Sequence, residues 1–194
     1  MKIKSWSTMQ TMGKPSDAWL WRSQRLSLSS TARTAEAALT PGWIGPSVTP
    51  LTNLNSGYRM YEVDTGKHLG RRSYKSSWPS TGDFNIYEAY TFYANVSSFS
   101  HLNSTGPTFE FEYNTRDTYG PAANWPSTAP LNATFWHAVT EAMASNHSLV
   151  STFNTYQGKS SIKSPNCTCE TCVDAKICYM RSGSVALAQS CSKG

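Results

Sequence analysis

All five cysteines of this chain fall between Cys167 and Cys191, in the stretch CTCETCVDAKICYMRSGSVALAQSC. Four thiolates can enclose a zinc ion, but a zinc ribbon pairs two separated CxxC knuckles, and only Cys169 and Cys172 have that spacing here. A redox CxxC follows a strand and opens a long helix within a βαβ unit, and no such unit surrounds this one. Disulfides remain. Cys178 and Cys191 would tie two short terminal helices together and close a loop of about a dozen residues. Cys172 would pair with Cys167 or with Cys169, which leaves one cysteine over.

The other side chains able to do chemistry are scattered. The four histidines are His68, His101, His137 and His147, with no HxH, HxxxH or DxH among them. A two-metal hydrolase needs several His and Asp ligands to hold its ions roughly 4 Å apart, and this set cannot supply them. His137 reads as a packed helix residue beside Trp136. Glu110 and Glu112 share a strand face, and Arg116 with Asp117 reads as a structural ion pair. No GxSxG, phosphate-binding glycine loop or HExxH occurs. These patterns assign no catalytic, cofactor-binding or metal-ligating residue.

The elements that would position these groups follow from periodicity. Residues 1–38 carry no sustained period and predict little order, or one weak helix around Thr31 to Leu39. PGWIGPSVTPLTNLNSG reads as an extended, turn-rich passage. YRMYEVD, Tyr58 to Asp64, alternates as a strand with Tyr58, Met60 and Glu62 on one face and Arg59, Tyr61 and Val63 on the other. FNIYEAYTFYANV, Phe84 to Val96, is a second strand, rich in aromatic and β-branched residues. The basic, aperiodic segment 66–82 separates them. With one of its terminal glycines kept and the rest removed, a short Asp-Thr-Gly-Asp connection would join the two strands as a hairpin. Residues 66–82 therefore read either as an insert, for which Gly66-Lys67 admits a splice-donor sequence in the coding DNA, or as a long solvated hairpin loop. TFEFEYNTRDTYG, Thr108 to Gly120, begins as a third strand and ends in a turn.

Past residue 130 the period becomes helical. Phe135, Trp136, Val139, Ala142 and Met143 form one stripe, with Asn132 or Thr134 as cap. Leu149, Val150, Phe153 and Tyr156 form a second, stopped at Gly158. Two short helices, Glu170 to Arg181 and Ser184 to Gln189, carry the cysteines.

Composition frames the environment. The net charge of +5 is modest, charged residues are 15% and aromatics 12%, which argues against a nucleic-acid partner. Asn95, Asn103, Asn132, Asn146 and Asn166 each begin an Asn-x-Ser/Thr glycosylation acceptor. Together with clustered cysteines they point to the secretory pathway. The polar N-terminus, MKIKSWSTMQTMGKPSDAWLW, is not a signal peptide, and no transmembrane stretch is visible.

Five stretches carry a resemblance: WIGPSVTPLTNLNSGYRMYEVD, YEAYTFYANVS, FEYNTRDTYG, WHAVTEAMASNHSLVSTFNTYQGK and CVDAKICYMRSGSVALAQSC. In this order they resemble the C-terminal end of acid sphingomyelinase-like phosphodiesterases of the calcineurin-like metallophosphoesterase superfamily, the fungal branch most closely. The likeness covers residues 34–191 apart from the insert. It implies an α+β fold: a few antiparallel strands left from a β-sandwich, then a disulfide-linked helical C-terminal domain. The implied division is a non-family segment 1–38, terminal sandwich strands 39–120 and a helical domain 121–194. The resemblance also implies a secreted or lysosome- or vacuole-like glycoprotein. Its zinc-dependent parent hydrolyses a phospholipid or other phosphodiester and admits peripheral membrane contact. The family's Asp, Asn and His zinc ligands, ending in Gly-His-x-His, lie upstream of the Trp43 region. None can be carried onto a residue here, so this chain is expected to bind no zinc and to be inactive alone. The competing expectation is a secreted, disulfide-stapled module that binds lipid or protein without catalysis.

Overall fold

The computed structural model describes residues 24–28, 38–50, 54–63, 85–101, 106, 108–164, 166–183 and 185–192. Within the segment expected to carry little order, Gln24–Leu28 forms strand β1, which pairs antiparallel with β2, Ala38–Trp43. Ala38 and Leu39 are therefore extended rather than helical. The remainder of the helix expected over Thr31 to Leu39 lies outside the described residues.

The main sheet is antiparallel, in the order β3 (Ser56–Val63), β4 (Ile86–Ala94), β5 (Glu110–Asn114). Strands β3 and β4 remain in register from Ser56 opposite Ala94 to Glu62 opposite Glu88. The insert expected at 66–82 and the hairpin connection around it lie outside the described residues. The two-residue period sorts the side chains as the sequence requires. Arg59 lies opposite Thr91, and Thr91 opposite Tyr113, so these three form one row on the face that meets the helices. Tyr58 stacks on Phe92 on the other face, with ring centroids 5.0 Å apart. There Phe111 is 54% exposed.

Strand β5 passes into a five-residue helix, α1 (Thr115–Tyr119), capped by the Asn114 side chain, which accepts from the Asp117 N–H. Gly120 closes it because a Cβ at that position would lie 2.5 Å from the Arg116 carbonyl oxygen. Arg116 and Asp117 do not pair. Neighbours on a helix point apart, and the Arg116 guanidinium reaches instead to the carbonyls of Tyr87, Pro126 and Ala129. Asp117 accepts from the Asn114 amide.

Helices α2 (Ala133–Ser145) and α3 (His147–Gln157) follow the predicted stripes: Phe135, Trp136, Val139 and Met143 are buried on α2, and Val150 and Phe153 on α3. Of the two candidate caps on α2, Asn132 serves, its Oδ1 accepting from the Phe135 N–H. Asn132→Ala should therefore lower stability by about 1 kcal/mol, while Asn132→Asp should keep most of it; urea unfolding midpoints of both variants check this. Helix α4 (Glu170–Arg181) packs on α2 and α3 through Val173, Ile177 and Met180, and α5 (Val185–Gln189) follows. The core thus lies between the sheet and α2 to α4. Trp43 joins it edge-on between Tyr61 and Trp136.

Candidate functional site

The cysteines lie where disulfides form. Cys167 is bonded to Cys172, and Cys178 to Cys191, with Cα atoms 5.5 and 5.8 Å apart. Between the two partners open to Cys172, the structure selects Cys167 because Cys169 is the N-cap residue of α4 and its thiol is exposed. The Thr171 hydroxyl and the Cys172 N–H hold the Cys169 thiol below its usual pKa. Of the histidines, His137 is half-buried on α2 and His147 is exposed at the start of α3. The side chain of His101 and all of His68 lie outside the described residues. No three His, Cys, Asp or Glu side chains among the described residues are grouped to hold a metal. Four of the five thiols are bonded to sulfur, so the cysteine cluster does not present the thiolate set a zinc site needs.

The glycosylation acceptors Asn95, Asn132, Asn146 and Asn166 are exposed; Asn103 lies outside the described residues. Asn132 and Asn146 both cap helices through Oδ1. An N-glycan is carried on the amide nitrogen, so the cap and the modification are chemically compatible.

What the structure gathers instead is a polar cluster inside the sheet-helix interface. Arg59 is 8% exposed; its Nε donates to Thr91 Oγ1 at 2.9 Å and its Nη2 to the Tyr113 hydroxyl at 2.8 Å. Burial opposes its charge, but the phenolic oxygens of Tyr113 and Tyr61 outweigh burial and hold its pKa above the ordinary value. Tyr113 also stacks on Tyr156 of α3, centroids 4.2 Å apart. Glu112 is drawn into this layer by a bulge in β5, where Phe92 faces Phe111 and Thr91 faces Tyr113, leaving Glu112 as the extra residue. Glu110 and Glu112 therefore do not form an equivalent pair. Glu110 is exposed, whereas Glu112 accepts from Ser160 Oγ at 2.8 Å through Oε1, and its Oε2 is buried without a partner among the described residues.

Burial pushes the Glu112 carboxyl up to about 7 against the opposing pull of Ser160, Arg59 and Lys159. In the unfolded chain it loses its proton near 4.5. Between these values the folded state binds more protons, so this group's contribution is complete below the unfolded pKa and is lost as pH rises through the folded one. Urea titrations across that window should show the wild type losing stability towards neutrality, with a flatter profile in Glu112→Gln.

Two further buried charges escape simple motif reading. Glu88 Oε1 accepts from the backbone N–H groups of Ala89 and Arg116, tying β4 to the start of α1. Lys176, 4% exposed, donates to Asn154 Oδ1 and Gln157 Oε1, which joins α4 to α3, and burial lowers its pKa to about 8. The available signal was parity: Arg59 shares the inward strand face with Tyr61, and Lys176 falls on the Val173-Ile177-Met180 stripe.

No protein-family model matches this chain, and no curated protein matches it.

Proposed function

We propose that this chain is the C-terminal part of an acid sphingomyelinase-like phosphodiesterase: the last strands of a metallophosphoesterase sandwich followed by its stapled helical domain. In such an enzyme a zinc-activated water attacks the phosphodiester. The part represented here carries none of the residues for that step and serves to cover and brace the catalytic part. One observation carries the reading: each resembling stretch occupies a structural unit of its own. WIGPSVTPLTNLNSGYRMYEVD begins at the last residue of β2 and contains β3, YEAYTFYANVS is β4 and its exit turn, and FEYNTRDTYG is β5 with α1. WHAVTEAMASNHSLVSTFNTYQGK spans α2 and α3, and CVDAKICYMRSGSVALAQSC spans α4 and α5 with one complete disulfide. The reading carries with it glycosylation at the five Asn acceptors and a secreted or lysosome-like setting.

Purified chain supplied with zinc should release no product from sphingomyelin or from bis(p-nitrophenyl) phosphate above the buffer rate. Zinc-dependent turnover would overturn the assignment of an inactive part.

The binding-module reading draws on a different observation, the aromatic row of Tyr58, Phe92, Phe109 and Phe111 on the sheet face away from the helices. Flotation with sphingomyelin-containing liposomes separates the two readings. Binding that Phe111→Ser abolishes, by a chain without turnover, would favour the module.

A further inference from the structure

The three sulfurs at the mouth of α4 form one system rather than a bridge and a bystander. Helix α4 opens on the CxxC pair, with Cys169 as its N-cap and Cys172 in its first turn, a placement that activates thiols even outside a βαβ unit. Cys169 is exposed and unbonded, while Cys172, three residues on, already holds Cys167. The Thr171 hydroxyl, 3.4 Å from the Cys169 sulfur, and the backbone N–H of Cys172 both favour its thiolate. That sulfur is therefore within electrostatic reach of the residue that carries the bridge.

The bridge itself is shielded. Cys167 is 4% exposed and belongs to the hydrophobic core, and Cys172 packs against that core. A thiol from solution reaches such a bond poorly, whereas the Cys169 sulfur is held beside it by the same turn of helix. Residues three apart on a helix have Cβ atoms about 5–6 Å apart, so turning the Cys169 side chain, with a small shift of the N-cap backbone, brings its sulfur onto Cys172 Sγ. Apolar surroundings disfavour a free Cys167 thiolate. The resting arrangement is accordingly the one seen, with Cys167 bonded and the ionisable thiol left on Cys169.

We propose that Cys169 is the exchange thiol of the Cys167–Cys172 bridge, the point through which a small thiol such as glutathione opens it and a small disulfide closes it. In opening, the Cys169 thiolate attacks Cys172 Sγ. The Cys169–Cys172 bond forms, the Cys167–Cys172 bond breaks, and Cys167 leaves as a thiolate that takes a proton from water. This rearrangement is redox-neutral. The new bond ends on an exposed sulfur, where an external thiolate attacks Cys169 Sγ, releases the Cys172 thiolate and leaves a mixed disulfide on Cys169. A second external thiolate attacks the outer sulfur of that mixed disulfide and frees Cys169, so two external thiols are oxidised to one disulfide as the protein's bridge is reduced to two thiols. Closing runs the same steps in reverse. The Cys178–Cys191 bridge encloses no further cysteine and lacks this route.

The test is the rate at which each bridge opens when the intact, folded protein is mixed with reduced glutathione. Samples are quenched in acid, blocked with N-ethylmaleimide and mapped by fragmenting the peptide between Lys163 and Lys176, which holds all three sulfurs. Cys169→Ser removes the thiol and leaves a preferred N-cap residue, so the helix start is kept. The Cys167–Cys172 bridge should open about tenfold or more slowly in Cys169→Ser than in the wild type, because the variant loses the intramolecular attack. The Cys178–Cys191 bridge should open at the same rate in both proteins. Early wild-type samples should also contain the rearranged species, linked Cys169 to Cys172 with maleimide on Cys167. Equal opening of the Cys167–Cys172 bridge in both proteins, or a glutathione adduct that accumulates on Cys169 while Cys167 and Cys172 stay bonded, would overturn the proposal.

Discussion

Arg116→Met is expected to be the most damaging single substitution on the sheet side of the protein, lowering stability by about 3–4 kcal/mol. The guanidinium donates to Tyr87 O through both Nε and Nη2, to Ala129 O at 2.7 Å and to Pro126 O at 2.9 Å. It thereby fastens β4, α1 and the 126–130 loop to one another at the point where the chain leaves the sheet for α2. Methionine fills a similar volume but leaves those carbonyls without a donor, and a partly buried acceptor left unsatisfied carries its full desolvation cost. Arg116→Lys should recover less than half, because an ammonium is a single point and cannot span three carbonyls in a plane. Chemical denaturation of both variants checks this. Near-wild-type stability in Arg116→Met would mean that the loop is held by other contacts.

Opening the Cys178–Cys191 bridge is expected to have the next largest effect, about 3 kcal/mol for a closed loop of this length. Local consequences should exceed the global one. Helix α5 buries none of its residues, so the bridge is its principal attachment to α4, where Cys191 is itself buried against Ser182. In the double substitution Cys178→Ala with Cys191→Ala, amide exchange should rise to the level of an open chain over residues 185–191 while α2 and α3 remain protected. The shorter Cys167–Cys172 loop should contribute less, about 2 kcal/mol on the same chain-entropy scaling. Equal protection of α5 with and without the bridge would show that the helix docks on its own.

Much of this was legible because burial imposes a period. The strand alternation put Arg59 and Tyr61 on one face and Tyr58 on the other, and the stripes on α2 and α3 named Phe135, Val139, Val150 and Phe153. Gly158 marked the end of α3, and the Cys178–Cys191 staple followed from the two short helices around it. Features set by contacts distant in sequence were not legible. A bulge is an unequal residue count between two strands, so the inward displacement of Glu112 depends on β4 as much as on β5. Arg116 beside Asp117 suggested a pair by adjacency, but its partners are carbonyls brought in from Tyr87 and Ala129. The β1–β2 hairpin carries no strong alternation, and it lies against α2 and α4. The Cys167 and Cys169 alternatives differ only in which thiol turns towards Cys172 at the mouth of α4, a choice that spacing alone leaves open.

The central claim, that this chain represents the non-catalytic end of a metallophosphoesterase, is tested most directly by sequencing the genomic DNA and the transcripts across and upstream of the codon for Met1. The account predicts an in-frame or spliced segment encoding a Gly-His-x-His motif joined to the Trp43 region, in a message that omits codons 66–82. Transcripts that always begin at Met1, always encode Arg71 and Arg72, and have no such segment in the upstream DNA would contradict it.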